Sequence, residues 1–260
     1  MSIVVVTKSV PDTAARVEVN AQGAVTWGDA PLVVNPWDEY SVTEAILLKE
    51  KHNVKTTALA VGEPSNDDAL KWSLSLGIDE VARVWDDGMK GQDSLGYASA
   101  VAAAIRKIGD VKLAIFGKEL IDVGTDAHVF MTARKLGWTA LGFVFKIRAI
   151  DFAAGTITVE RLVEEGKQIV TAKLPAVISV VKDINEPRSP SFIGIRKASK
   201  AAIPVWSSSD LGISAAPAKA QTTAYQNLAA RTGSVEVIEG ANELEKAEKL
   251  AQKLLEEKVI

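Results

Sequence analysis

Apolar and polar positions alternate in blocks over the first 140 residues. Residues 3–7 form a β-branched run with no polar interruption before Thr7, as a strand buried on both faces requires. Residues 16–19 and 24–27 read as a hairpin turning at Gln22 and Gly23. Asn35-Pro36-Trp37-Asp38 combines a good N-cap, a proline suited to the first helical position and an acid in the first turn. A helix is therefore predicted from there to about His52, with Val42, Ala45, Ile46 and Lys49 along one stripe. Then come a strand at 56–61, a helix capped by Ser65 and ended by Gly77, and a strand at 80–85. An Ala-rich helix at 94–108, a strand at 113–116 stopped by Gly117 and a helix over about 125–136 complete the series.

Strand–helix alternation of this kind predicts an α/β fold, an open and mostly parallel sheet covered by helices. From about residue 140 the pattern changes. Segments 143–150, 156–162 and 168–172 read as consecutive antiparallel strands, and 174–181 returns to a buried run. Residues 183–240 show little periodicity, are rich in Ser, Ala and Pro, and exceed an ordinary loop in length. An amphipathic helix capped by Asn242 closes the chain, with Leu244, Ala247, Ala251, Leu254 and Leu255 on one face.

Composition narrows the function. A net charge of −3 gives no reason to expect nucleic acid or a membrane surface as partner. The chain has no cysteine, which excludes disulfides, cysteine-held iron–sulfur clusters and a thiol nucleophile. With only His52 and His128, a histidine-built metal site is not expected. No apolar run is long enough to span a bilayer, and no basic segment precedes the first strand; a cytoplasmic location is the expectation.

Candidate chemistry lies where the strands end. Ligands of open parallel sheets bind outside the carboxyl ends of the strands, where strand order reverses. The segments leaving those ends are 7–13, 35–38, 61–64 and 117–128. The last, Gly117-Lys118-Glu119-Leu120-Ile121-Asp122-Val123-Gly124-Thr125-Asp126, leads from a strand into a helix N-terminus, where free N–H groups and the helix dipole favour a phosphate. There is neither a GxGxxG nor a P-loop pattern. From spacing alone, Gly124-Thr125-Asp126 either receives a phosphate or merely caps a helix, and Asp38 either caps or contacts a ribose. His128 reads by itself as a helix-surface residue. Trp37, Trp72, Trp85 and Trp138 read as core.

Several stretches together resemble the electron transfer flavoprotein β family. They are Lys8-Ser9-Val10-Pro11-Asp12-Thr13, Asn35-Pro36-Trp37-Asp38 with Glu44-Ala45 and Leu48-Lys49, Gly117-Lys118-Glu119-Leu120-Ile121-Asp122, and Leu174-Pro175-Ala176-Val177 running into Asn185-Glu186-Pro187-Arg188. The resemblance implies an adenine-nucleotide α-hydrolase-like sheet and a heterodimer with an α subunit that holds most of the FAD. It implies a buried adenine nucleotide in this chain, AMP in respiratory members and a second FAD in bifurcating ones. The family's nucleotide contacts fall on Val6, on Asn35, Pro36, Trp37 and Asp38, on Val61, and on 120–131, including Leu120, Asp122, Val123, Gly124, Thr125, Asp126 and His128. The family continues after Ile121-Asp122 with another acid and a Gln-containing turn. This chain has Val123-Gly124-Thr125-Asp126-Ala127-His128, with His128 near the expected Gln. AMP is the expectation, with FAD as the alternative; Pro11-Asp12-Thr13 looks like the bifurcating members.

Residues 187–209 hold no acid. Arg188, Arg196, Lys197 and Lys200 surround Phe192, Ile193 and Ile195. An apolar anchor inside a charged rim suits transient docking, while a Phe folded back on its own domain is the other reading. The resemblance makes this a recognition loop for partner dehydrogenases, with Phe192 as its anchor. The expected division is a nucleotide-binding domain, 1–204, with the loop at 183–204, and a C-terminal arm and helix, 205–260, packing on the partner subunit. The implied function is an electron carrier with no catalytic residue of its own. It would shuttle electrons from flavoprotein dehydrogenases, such as acyl-CoA dehydrogenases of fatty acid oxidation, to a membrane quinone reductase. The alternative is the β subunit of an NADH-oxidising, bifurcating complex.

Overall fold

The structure, a computed structural model, describes residues 1–214, 217–229, 233 and 235–260. The rest of the predicted arm, residues 215, 216, 230–232 and 234, lies outside the described residues. The chain runs β1 (Ser2–Val6), β2 (Ser9–Pro11), β3 (Glu18–Val19), β4 (Val25–Thr26), β5 (Leu32–Val34), α1 (Pro36–His52), β6 (Lys55–Val61), α2 (Asp67–Leu76), β7 (Glu80–Val84) and α3 (Ser94–Ile108). It continues through β8 (Val111–Gly117), α4 (Ala127–Leu136), β9 (Thr139–Asp151), β10 (Thr156–Val163), β11 (Gly166–Lys173), β12 (Ala176–Val180), α5 (Phe192–Ala198), β13 (Val205–Trp206) and α6 (Glu243–Glu256).

Among the described residues nine strands form one sheet, ordered β11-β10-β9-β12-β8-β1-β6-β7-β13. Strands β9 and β12 through β13 pair in parallel, and β10 pairs antiparallel with β9 and β11. All five residues of β1 are buried because helices cover both faces. Ile3 and Val5 pack with Val42, Ala45 and Ile46 of α1, while Val4 and Val6 pack with Ala100, Val101 and Ala104 of α3 and Val129 and Ala133 of α4. Each such valine or isoleucine stabilises the fold by about 1.5–3 kcal/mol. The Ala-rich sequence of α3 keeps that helix thin where it lies against α4.

Several local expectations need correction. Ser65 does not cap α2; a 3₁₀ turn, Pro64–Asn66, precedes it, and Asn66 stands at the cap position. The Asn66 amide instead accepts the Ser9 N–H at 3.1 Å, tying β2 to this turn. Asn35 stands at the N-cap of α1 but makes no side-chain cap bond. The stretch after residue 183 contains a helix, α5, capped by Ser191, and Val205–Trp206, assigned above to the arm, joins the sheet beside β7. Asn242 caps α6 as expected, accepting the Glu245 N–H at 2.9 Å. Residues Met1–Ala224 form one compact unit and Tyr225–Ile260 another. No helix among the described residues is long and apolar enough to cross a membrane.

Candidate nucleotide crevice

Strand order reverses between β1 and β8. From β1 the chain moves through α1 to β6 on one side, and from β8 it goes through α4 to β9 on the other, with β12 later inserting between them. At that reversal the end of β1, the first turns of α1, α3 and α4, and the loop after β8 meet, the place where an open parallel sheet takes its ligand. Val6 and Val61 are the buried strand ends at this edge.

Asn35 and Asp38 build the wall rather than stand free in it. The Asn35 carboxamide is fully buried, donates to Asp38 Oδ1 and to the Glu119 carbonyl, both at 2.9 Å, and accepts the Ile121 N–H at 3.3 Å. It stitches the start of α1 to the loop after β8. The Asp38 carboxylate accepts the Lys8 N–H at 2.9 Å and a backbone bond from Gly117. Burial nonetheless pushes its pKa up to about 7, outweighing those bonds and the Lys8 charge. Gly117 is required by this contact, since a Cβ there would lie 2.5 Å from Asp38 Oδ1. Trp37 is half-buried and holds the Lys118 ammonium 5.1 Å from its ring centre.

The loop folds back on itself. Leu120 N–H donates to the Thr125 carbonyl at 3.0 Å, and Gly124 N–H donates to the Leu120 carbonyl at 2.8 Å. Gly124 turns the chain at φ +59°, with open space where a side chain would stand. Asp122 pairs with Lys8, and Val123 is exposed at the tip. Thr125 Oγ1 accepts the Ala127 N–H at 3.2 Å; Asp126 stands at the cap of α4 without a side-chain bond to it.

His128 is not on the helix surface. It is 3% exposed, edge-on to Tyr97 at 5.4 Å between ring centres and tilted against Phe116 at 5.6 Å. Burial holds its pKa down at about 4, so the imidazole is neutral near pH 7. Among the described residues, His128 Nδ1, the Tyr97 hydroxyl and Thr7 Oγ1 are buried with no hydrogen-bond partner. Unpartnered buried polar atoms are costly; Ser2 Oγ, His52 Nε2, Thr57 Oγ1, Arg161 Nε and Asn185 Oδ1 are likewise unpartnered elsewhere among the described residues. Thr7 opens the candidate segment 7–13, while Tyr97 was missed in the sequence. The available signal was an aromatic residue in the first turn of an otherwise Ala-rich helix.

The predicted docking residues lie elsewhere. Phe192 and Ile193 are 81% and 80% exposed on α5, so Phe192 is not folded back on its own domain. Arg188 is held by Glu50 through two bonds of 2.6 and 2.8 Å, and its N–H reaches Thr43, which pins the segment before α5 to α1. Arg196 and Lys197 sit in the last turn of α5. A cavity of about 730 Å³ lies at the opposite edge of the sheet, lined by Ser2, Thr57, Val81, Ile108 and Trp206 and by Ala201, Ala202 and Pro204 shortly after α5.

Comparison with known proteins decides the family. The electron transfer flavoprotein domain model matches residues 27–211, from just after the first hairpin to just after β13, including the loop after β8 and α5. The chain belongs to the electron transfer flavoprotein family, with the β subunits. Protein FixA of Azorhizobium caulinodans is 33% identical over 218 residues, covering 82% of this chain and 77% of that protein. The electron transfer flavoprotein subunit beta of Mycobacterium bovis is 34% identical over 218 residues, covering 82% and 81%. Protein FixA of Azotobacter vinelandii is 32% identical over 217 residues. As a member of this family the chain is an electron transfer protein, and the nine-stranded sheet is its fold.

Proposed function

We propose that this chain is the β subunit of a heterodimeric electron transfer flavoprotein and binds AMP in the crevice between α1 and α4. With its α subunit it carries electrons from flavoprotein dehydrogenases, such as acyl-CoA dehydrogenases, to a membrane quinone reductase. The observation that carries the nucleotide reading is the strand-order reversal between β1 and β8, where the loop after β8 is stitched to the start of α1 and turns at Gly124 into the start of α4. The phosphate faces the turn at Gly124 and the first N–H groups of α4, where the helix dipole attracts an anion. FAD, held mainly by the α subunit, supplies the redox chemistry; the residues of this chain bind and orient.

The partner surface is argued from exposure. Every residue of α6 is exposed or half-buried, and Leu244, Leu250 and Leu255 are among the exposed ones. Leu228 is 97% exposed. Apolar side chains along one face of an amphipathic helix need a covering surface, and the α subunit supplies it over roughly 2,000 Å² or more. Phe192 docks the dehydrogenase, with Arg196 and Lys197 steering encounter.

The second reading, a bifurcating complex with a second FAD here, rests on Pro11-Asp12-Thr13. That segment has a local structural role, because Asp12 Oδ1 accepts the Ala14 N–H at 2.8 Å in a turn after β2. AMP, the expectation from the sequence, is the reading kept. Co-expression with the α subunit, followed by native mass measurement, is the test. A stable 1:1 complex is expected; a well-behaved monomer that ignores the α subunit would refute it.

A further inference from the structure

We propose that Asn185 is a positioning residue for partner docking: its carboxamide, bonded to Tyr40 and Glu44 of α1, fixes the segment that delivers α5 and so sets where Phe192 stands. The proposal rests on the docking reading of Phe192 above and extends it to side chains bound to α1 rather than offered to the partner.

Three observations carry it. The first is the hold on the segment before α5. Asn185 Nδ2 donates to the Tyr40 carbonyl at 3.1 Å and to Glu44 Oε2 at 2.9 Å. Three residues later the Arg188 N–H donates to Thr43 Oγ1 at 3.1 Å, and the Arg188 guanidinium pairs with Glu50. Tyr40, Thr43 and Glu44 lie one turn apart and Glu50 two turns beyond Thr43, so residues 185–188 follow one stripe of α1. The helix cannot yield easily, because Val42, Ala45 and Ile46 bury its other side in the core. The second is the seat beneath α5. A Cβ at Gly194 would collide with the Ser75 carbonyl at the end of α2, and Ala198, one turn on, is buried. Gly194 and Ala198 therefore form the stripe of α5 that lies on the domain, leaving Phe192, Ile193 and Ile195 exposed. The third is where the hold is buried. The Arg188–Glu50 pair is open to solvent on both sides and contributes little. Glu44 is buried, and burial raises its carboxyl pKa against the bond from Asn185 and the charge of Lys51. The Asn185 amide is oriented by its two donor bonds, since its Oδ1 is buried without a partner. Only residues 189–191 separate the grip on α1 from the first residue of α5, and Ser191 caps that helix by accepting the Gly194 N–H at 3.0 Å. Loosening Asn185 thus reaches Phe192 through a short, otherwise fixed link.

Asn185→Ala removes both bonds to α1. In the complex with the α subunit it is compared with wild type, Phe192→Ala, Glu44→Gln and Gly194→Ala. Three quantities are read: KM and kcat for electron transfer from an acyl-CoA dehydrogenase, the thermal midpoint, and the rate of tryptic cleavage after Arg196 and Lys197, located by mass. Loss of the hold predicts a KM raised about three- to tenfold with kcat at saturating partner unchanged. Cleavage within α5 should speed up, because a helix must open locally to be cut. Phe192→Ala should raise KM without speeding cleavage. Glu44→Gln keeps an acceptor for Asn185 Nδ2 and brings a donor to its Oδ1, so it should behave as wild type. Gly194→Ala moves α5 off its seat and should raise KM with Asn185 intact. If Asn185→Ala leaves KM unchanged while Phe192→Ala raises it, the proposal is overturned, whatever the midpoint does, and the docking reading stands. Phe192→Ala with an unchanged KM would overturn both. A KM for Glu44→Gln as high as that for Asn185→Ala would assign the effect to the charge at position 44 and would also count against the proposal.

Discussion

Gly117→Ala tests how the crevice is built. A Cβ at Gly117 would stand 2.5 Å from Asp38 Oδ1 and 2.7 Å from both the carbonyl carbon and the Cβ of Trp37. All three atoms belong to Trp37 and Asp38 in the first turn of α1, which is fixed by Asn35 and by its packing on β1, so the relief must come from moving backbone. Overpacking of this kind costs about 1–3 kcal/mol. Displacing Asp38 also weakens its bonds from Lys8 and Asn35, worth about 0.5–1.5 kcal/mol each. The expected loss is about 2–5 kcal/mol, large against a typical domain stability of about 5–15 kcal/mol. Denaturant unfolding of the purified complex reads it as a lower midpoint with an unchanged slope. Because the same movement opens the stitch between α1 and the loop after β8, bound nucleotide should fall as well. A variant within about 0.5 kcal/mol of wild type would show that the start of α1 yields freely and that Asp38 is not held as described.

Further outcomes follow from the same geometry. His128 has a folded-state pKa of about 4 against an ordinary 6.5, so it favours the folded state above pH 6.5 and that contribution is lost as the pH falls toward 4. At about 1.4 kcal/mol per pH unit the effect is bounded near 3 kcal/mol. The thermal midpoint of His128→Gln should depend less steeply on pH in that window, and an unchanged slope would contradict the burial argument. Asp38, raised to about 7, acts in the opposite sense, losing stability as the pH rises from about 4 to 7, so the comparison is made between variant and wild type. Gly124→Val places a β-branched residue at φ +59°, costing about 1–3 kcal/mol locally and reducing nucleotide content; unchanged content would put the phosphate elsewhere. Phe192→Ala, at an 81% exposed position, should leave the thermal midpoint unmoved and weaken dehydrogenase docking by about 2–4 kcal/mol, read as a raised KM for the partner; a lowered midpoint with unchanged turnover kinetics would refute it.

Much of the architecture was legible because the signals were long or local. The apolar run of β1 and the Asn-Pro start of α1 each rest on chemistry within one element. So does the Asn242 cap of α6, and all three came out at the expected positions. What failed depended on neighbours distant in sequence. His128 reads as a surface residue on a 10-residue helix, and only the packing of α4 beside α3 and β8 buries it between Tyr97 and Phe116. Asn35 has the sequence of a cap, yet its amide is taken by Glu119 and Ile121, more than 80 positions away. Helix α5, with 7 residues, is too short for periodicity to reveal, and the two residues of β13 gain strand geometry only from β7. The site positions expected by resemblance at Val6, 35–38, Val61 and 120–128 lie along one edge of the sheet; Tyr97 belongs to the same edge and carried no motif.

The most direct test is the cofactor content of the complex. The chain co-expressed with its α subunit, purified and denatured, should release one FAD and one AMP per heterodimer on chromatography, with the AMP lost in Gly117→Ala. A complex that releases no adenine nucleotide beyond its one FAD, or that releases two FAD and no AMP, would contradict the account.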